Sequence, residues 1–285
     1  MTTTTASLPH AAIRALFLDI DGTLCTSDDR ISPGVKHALH RVHEKGVEIV
    51  LCTGRTRHRV SPVAAQMPDT AGYIVSANGS VLMHLGSNIT IYRHLLPVPV
   101  ALRVISAIVE AGSEPYVFED SDRPGIEGSR VLFHPEKPVG HWAERPRYRP
   151  HAEIMESLPF EPVCVSAFGT PATMRPLAAR LMEEFHGELA IIQSGSESDW
   201  GVEIYAGNVS KLLGVETVAA RLDVDREAVM AIGDHINDVE MLKWAGIGVA
   251  MGNALPEIQA IADWVTDDVL RDGVARAIEK FIFDA

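Results

Sequence analysis

Cysteine is scarce in this chain of 285 residues: Cys25, Cys52 and Cys164 are the only three. They are too few and too scattered for a disulfide framework or a cysteine-built zinc cluster, and are expected to be reduced thiols. No run of about 18 apolar residues occurs, so no membrane-spanning helix is expected; the apolar stretch at 98–111 is short and interrupted by Arg103. The first nine residues are threonine-rich and have neither the basic start nor the apolar core of a secretory signal. A soluble, cytoplasmic protein is the expectation. Basic residues are in deficit as well, 25 Lys and Arg against 38 Asp and Glu, for a net charge of −13. Such a balance argues against gripping nucleic acid or an anionic membrane by bulk charge, while leaving room for a small basic pocket. Neither a GxxxxGK phosphate loop nor a GxSxG elbow occurs, and Gly246-Ile-Gly-Val-Ala-Met-Gly misses the dinucleotide fingerprint by one position.

What is present is an alternation of short apolar runs with amphipathic stretches. The segments at 15–18, 47–51, 73–75, 229–232 and 247–250 look like buried strands. Between the first two, Ser32-Pro33 supplies a helix start, Val35, Ala38, Leu39 and Val42 recur at helical spacing, and Gly46 supplies a stop. Strand, helix, strand at this rhythm predicts βαβ units, hence an α/β fold with a Rossmann-like parallel sheet covered on both faces. The middle of the chain reads differently. Residues 121–150 hold five prolines and six basic residues, Arg123, Arg130, Lys137, Arg145, Arg147 and Arg149. This composition predicts an irregular surface segment. Beyond it come a strand candidate at 161–168, a helix at 171–184 and a further strand at 188–193. Residues 84–192 therefore read as a smaller α/β domain inserted into a core formed by 1–83 and 193–285.

Chemistry concentrates where the apolar runs end. The first strand ends in Asp19-Ile-Asp21-Gly-Thr-Leu, and ligands of parallel sheets sit beyond the carboxyl ends of strands. Two carboxylates at i and i+2 share a face if the strand geometry persists, and repel unless a cation or proton separates them. A strand followed by an Asp-Gly turn is the structural alternative. The second strand ends in Thr53-Gly54, a hydroxyl followed by a backbone that a phosphate can approach closely. Asp234 and Asp238 lie just past the run 229–232 and are four residues apart, on one face if a helix opens there. Helix capping explains Asp234 alone, yet leaves a second strand-end acidic pair in the same chain without an account. Lys211, at the head of the helical pattern 210–222, offers a positive charge, or is a solvated helix lysine. Taken together, these residues predict a site for one divalent cation and one phosphate, with hard oxygen donors favouring Mg²⁺ over zinc. His37, His40 and His43 are excluded as a metal site, because at ~100° per residue they cannot converge on one ion.

At these residues the chain resembles the haloacid dehalogenase (HAD) superfamily, and within it the Cof-type phosphatases with an inserted type IIB cap. Asp19-Ile-Asp-Gly-Thr-Leu matches the first motif of that family, Thr53-Gly-Arg the second, Lys211 the third and Gly233-Asp-His-Ile-Asn-Asp the fourth. Ser76-Ala-Asn-Gly-Ser, Ala250-Met-Gly-Asn-Ala and Asp272-Gly-Val-Ala are further Cof-like phrases, whereas His235 stands where a small or acidic residue is expected. The resemblance implies a nucleophilic Asp19 and an acid–base Asp21. It implies Mg²⁺ held by the Asp19 and Asp234 side chains and the Asp21 carbonyl with support from Asp238, and phosphate held by Thr53, Gly54 and Lys211, with Asn237 orienting the shell. The implied activity is hydrolysis of small phosphorylated metabolites, sugar phosphates above all, by a monomer or small homo-oligomer that binds neither nucleic acid nor membrane. Two other readings stay open: a phosphomutase of the same superfamily, and a non-catalytic binding protein on the same fold.

Overall fold

The structure, a computed structural model, describes residues 12–26, 28–67, 71–121, 130–135, 148–195 and 200–284. Its first compact unit comprises residues 1–54, 59–91 and 211–285, and its second comprises 55–58 and 92–210. The strands in chain order are β1 (Ala15–Leu18), β2 (Glu48–Cys52), β3 (Ala71–Ser76), β4 (Val81–His84), β5 (Ile89–Arg93), β6 (Tyr116–Phe118), β7 (Val131–Phe133), β8 (Tyr148–Pro150), β9 (Cys164–Gly169), β10 (Leu189–Gly195), β11 (Trp200–Ala206), β12 (Val229–Gly233), β13 (Ile247–Ala250) and β14 (Trp264–Val265). The main helices are α1 (Pro33–Glu44), α2 (Arg57–Ala64), α3 (Val98–Glu110), α4 (Pro171–Phe185), α5 (Lys211–Leu222) and α6 (Val239–Trp244).

The eight-stranded sheet runs β14-β13-β12-β1-β2-β3-β4-β5. Its pairs from β14 through β3 are all parallel, and β4 joins β3 antiparallel. The expected α/β parallel-sheet class is therefore the observed one. Strands β1 and β12, and β2 after its first residue Glu48, are apolar and buried, as a sheet covered on both faces requires. Helix α1 begins where Ser32 Oγ accepts from the Val35 amide at 3.0 Å, with Pro33 in its first turn. It buries Val35, Ala38, Leu39 and Val42. Reversal of strand order around β1 puts the carboxyl ends of β1, β2 and β12 side by side, the usual place for a ligand in such sheets.

The second unit has its own six-stranded sheet, β10-β11-β9-β6-β7-β8, mostly antiparallel, with α3 and α4 contributing to its hydrophobic core. The sequence places the boundaries of the inserted segment at 83/84 and 192/193, whereas the compact units divide after Ile91 and after Ser210. A break at 192/193 would cut β10, which pairs along its whole length, Leu189 to Gly195, with β11. That pairing carries the second unit through β11 before the chain re-enters the first at α5.

Among the described residues no helix is long and apolar enough to cross a membrane. No disulfide joins any of the three cysteines, and all three are buried. His37, His40 and His43 lie along α1, and His40 pairs with Glu44.

Helix α5 lies against β3 so closely that a Cβ at Gly214 would collide with the Val75 side chain. Gly214→Ala is therefore expected to destabilise the protein by roughly 1–3 kcal/mol, in spite of alanine's higher helix propensity. Urea denaturation checks this; a stabilised variant would show that α5 is not in such contact with β3.

Candidate active site

Asp19 is the first residue past β1, and its amide donates to the Ile232 carbonyl of β12 at 3.0 Å, so the ladder holds its backbone one step beyond the strand. Helix α5 starts at Lys211 and carries that side chain inward until it is only 2% exposed. Its ammonium donates to Asp19 Oδ1 at 2.6 Å and to Asp238 Oδ1 at 2.6 Å. Asp238 is fully buried, and its other oxygen accepts from the amides of Asp234 and His235, both at 3.0 Å. The acidic turn after β12 is thus folded around its own aspartate, and His235 completes the knot by accepting from the Asp238 amide.

Asp234, half-buried, receives Thr23 Oγ1 at 3.3 Å and Asn253 Nδ2 at 3.4 Å. The same Asn253 amide donates to the Gly22 carbonyl at 2.9 Å. Gly22 has φ +82 and lies so close to Asp234 that a Cβ there would overlap the carboxylate. The Asp-Gly turn after β1 therefore brings its backbone against the acid at the end of β12, which a turn alone does not need.

Electrostatics point the same way. Carboxylate oxygens of Asp19, Asp234 and Asp238 all lie within 4.8 Å of one another, and the Lys211 ammonium pairs with those of Asp19 and Asp238. Fully ionised, the group carries an excess of two negative charges in a place largely shut off from water. Burial is the main cause that raises the Asp19 carboxyl well above its ordinary range, with the charges of Asp238 and Asp234 adding to it against the Lys211 attraction. Burial, then the Asp238 charge, lifts Asp234 from 3.8 to about 6. Burial on its own would lower Lys211, but Asp19 and Asp238 hold it above its ordinary value. Burial also lowers His235. Oxygen donors with an uncompensated double negative charge suit a hard divalent cation.

The remaining candidates fall into two places. Thr53 is fully buried at the end of β2, its amide donating to the Val75 carbonyl at 2.8 Å and its carbonyl accepting from the Asn78 amide at 3.0 Å. Asn237 Nδ2 donates to Asn78 Oδ1 at 2.7 Å, and Gly54 lies alongside the Asn78 side chain. Asp21 is exposed, in a tight turn closed by the Gly22 amide donating to the Cys25 carbonyl at 2.9 Å. The sequence alone assigns no role to Thr23, Asn78 or Asn253. Asn78 and Asn253 stand inside the Cof-like phrases, and the signal for Asn78 is an Asn-Gly pair directly after a strand. Of the six basic residues of the proline-rich stretch, Arg123, Lys137, Arg145 and Arg147 lie outside the described residues. Arg130 pairs with Glu119 and sits over the Phe160 ring, and Arg149 is exposed.

A parallel sheet with a lysine-bridged acid cluster past its central strands defines an α/β enzyme whose chemistry lies at the strand ends. Comparison with known proteins specifies which. The model of the haloacid dehalogenase-like hydrolases matches residues 16–278, and the chain belongs to that family. It is 28% identical over 272 residues to the 5-amino-6-(5-phospho-D-ribitylamino)uracil phosphatase YcsE of Bacillus subtilis, covering 95% of this chain and 96% of the relative. To the pyridoxal phosphate phosphatase YbhA of Escherichia coli it is 29% identical over 275 residues, covering 93% and 97%. The HAD subclass IIB sugar phosphatase BT4131 shares the fold, with a TM-score of 0.76 at 23% identity over 94% of this chain and 98% of that one.

The raised pKa of Asp234 sets a pH signature. A carboxyl raised on folding favours the fold while protonated, and that contribution is lost as pH rises from the unfolded value, about 4, through about 6. Metal-free protein should lose melting temperature across this window, and added Mg²⁺ should restore more at about pH 7.5 than at about pH 5, where protons compete for the same oxygens. Thermal melts with Mg²⁺ and with EDTA at the two pH values check it; an equal or larger gain at the lower value would rule out a cation on these carboxylates.

Proposed function

We propose that this HAD-type phosphatase is a Mg²⁺-dependent phosphomonoesterase acting on small phosphorylated metabolites, with sugar phosphates the first class to test. The observation that carries the reading is the buried cluster itself. The clustered carboxylates of Asp19, Asp234 and Asp238 share one ammonium, which pairs with Asp19 and Asp238, and leave a charge deficit of one divalent cation. Relatives named for a phosphorylated ribityl compound and for pyridoxal phosphate support a small phosphorylated substrate.

In this reading the Asp19 carboxylate attacks phosphorus. The bond from phosphorus to the substrate oxygen breaks, and Asp21 gives its proton to that leaving oxygen. An aspartyl phosphate remains on Asp19. Asp21, now a carboxylate, takes a proton from water, whose oxygen attacks the same phosphorus. The bond to Asp19 breaks, and inorganic phosphate and the free carboxylate are regenerated. The exposure of Asp21 suits a group that must meet both the leaving oxygen and water. Lysine has three N–H donors; two are used on Asp19 and Asp238, and the third is assigned to a phosphate oxygen, with Thr53 and Gly54 as further contacts. The Asp19 and Asp234 side chains and the Asp21 carbonyl are assigned to the metal. Asp238 is assigned to support, because both its oxygens are already committed to Lys211 and to the turn amides. Bound there, the ion supplies positive charge between an anionic nucleophile and an anionic phosphate. The second unit is assigned the part of a type IIB cap that reads the leaving group.

Phosphate release from a panel of sugar phosphates, nucleotides and cofactor phosphates tests this. Turnover should require Mg²⁺ and vanish with EDTA. Asp19→Asn should lose at least about 10³-fold in kcat, and Asp21→Asn roughly 10²–10⁴-fold. Activity surviving either EDTA or Asp19→Asn would overturn the assignment. Turnover that appears only with a bisphosphate activator, with transfer back to sugar, would establish the phosphomutase instead.

A further inference from the structure

The turn after β3 is unusual in its backbone. Ala77 and Asn78 both adopt left-handed conformations, at φ 48 and φ 53, and Gly79 comes next at φ 101. Ala77 and Asn78 are each 1% exposed, so no solvent-side convenience explains them. A β-substituted residue held in this region costs on the order of 1–3 kcal/mol and persists only where the surroundings over-determine it, often at functional sites. The product of this distortion is the placement of one side chain. Asn78 leaves β3 with its amide bound to the Thr53 carbonyl at 3.0 Å and its side-chain oxygen accepting from Asn237 Nδ2 at 2.7 Å. Its side-chain amide lies against Gly54, so that a Cβ built there would be 3.2 Å from Asn78 Nδ2 and 3.3 Å from Oδ1.

Asn78 therefore touches both the Thr53-Gly54 loop after β2, assigned to the phosphate, and Asn237 after β12, assigned to orienting the shell around it, from the strand end on the far side of β2. Thr53 is clamped twice from that side, by the Val75 carbonyl within β3 and by the Asn78 amide in the turn beyond it. We propose that Asn78 is a positioning residue for the phosphate site, a strut that sets the spacing of the Thr53-Gly54 loop and of Asn237. It acts through those loops and without contact to the reacting atoms. The inference rests on the phosphatase reading above. It separates two functions within one cluster: Asp19, Lys211, Asp234 and Asp238 organise charge through their own contacts, while Asn78 sets the width of the anion pocket. Phosphate affinity then depends on Asn78 and metal affinity does not.

The experiment uses Asn78→Gly, which keeps the left-handed backbone and removes the amide, together with Asn237→Ala and the double variant. Competitive inhibition by inorganic phosphate, kcat, KM, Mn²⁺ affinity and melting temperature are measured on each. In Asn78→Gly the inhibition constant for phosphate and KM are expected to rise together by about tenfold, the loss of one well-placed polar contact. Mn²⁺ affinity should stay within about twofold of wild type, and the losses of the two single variants should not multiply in the double variant, because they break one shared hydrogen bond. Lower melting temperature with an unchanged phosphate constant would reduce Asn78 to a structural spacer, as would losses that multiply. If Asn78→Gly does not fold, Asn78→Ala decides: alanine is already held in this backbone region at Ala77, and the change removes the same oxygen facing Asn237 without adding a charge. Phosphate affinity should again fall by at least about tenfold, and an unchanged value overturns the strut. Wild-type protein that neither releases nor binds phosphate overturns the phosphatase reading and this inference with it; wild type that binds phosphate beside an unaltered Asn78→Gly overturns the strut alone.

Discussion

Everything at the strand ends hangs on one ammonium. Lys211 reaches from the head of α5 into a space that water barely enters and joins Asp19, just past β1, to Asp238, just past β12. An unpaired charge in such a place is strongly unfavourable, and removing one partner of a buried pair costs about 3–5 kcal/mol. The pair is therefore a constraint on geometry as much as a source of attraction. It fixes where α5 begins, and it commits one Asp238 oxygen so that the other is left for the amides of Asp234 and His235. Asp234 is consequently presented by its neighbour. The site is built by acids that hold other acids in place, with the lysine too weak in charge to balance them.

That imbalance separates this cluster from an ordinary buried salt bridge. In a structural ion pair the carboxylate is matched and hydrogen-bonded. Here burial raises both Asp19 and Asp234 above the usual carboxylate range, although the Lys211 charge acts on both to lower them. Cys52 lies in the same buried region and is raised by burial beyond any physiological pH, with the surrounding acids adding to it, so its thiol remains protonated and inert.

Much of the core was legible in the sequence because its signals were local. The apolar run at 15–18 and the run at 247–250 are strands with those limits, and Ser32-Pro33 opens a helix whose buried face is the one the spacing predicts. The strand-end acids were legible for the same reason: Asp19 and Asp234 stand where apolar runs stop. What the sequence did not disclose depends on contacts between distant residues. Nothing local distinguishes Lys211 from a solvated helix lysine; only its approach to Asp19, 192 positions away, does so. The inserted unit extends further than its local signals suggest, because β10 is claimed by antiparallel pairing with β11, and pairing is a property of two segments. Asn78 and Asn253 were recognisable as part of phrases, yet the groups they hold lie in the turns after other strands, β12 and β1.

The order of strands has a consequence for synthesis on the ribosome. β1 sits in the middle of the larger sheet, and one of its two parallel neighbours, β12, begins at Val229. Until that segment emerges, β1 has β2 on one side and an open edge on the other, the kind of edge that templates misassembly. The second unit needs no such wait: among the described residues each of its strands pairs within 92–210, and the residues of its main hydrophobic core lie in that span. The inserted unit is thus complete while the host sheet is still half-built. The same late segment that closes the sheet delivers Asp234 and Asp238, so the charge cluster is assembled only in chains whose central sheet has closed.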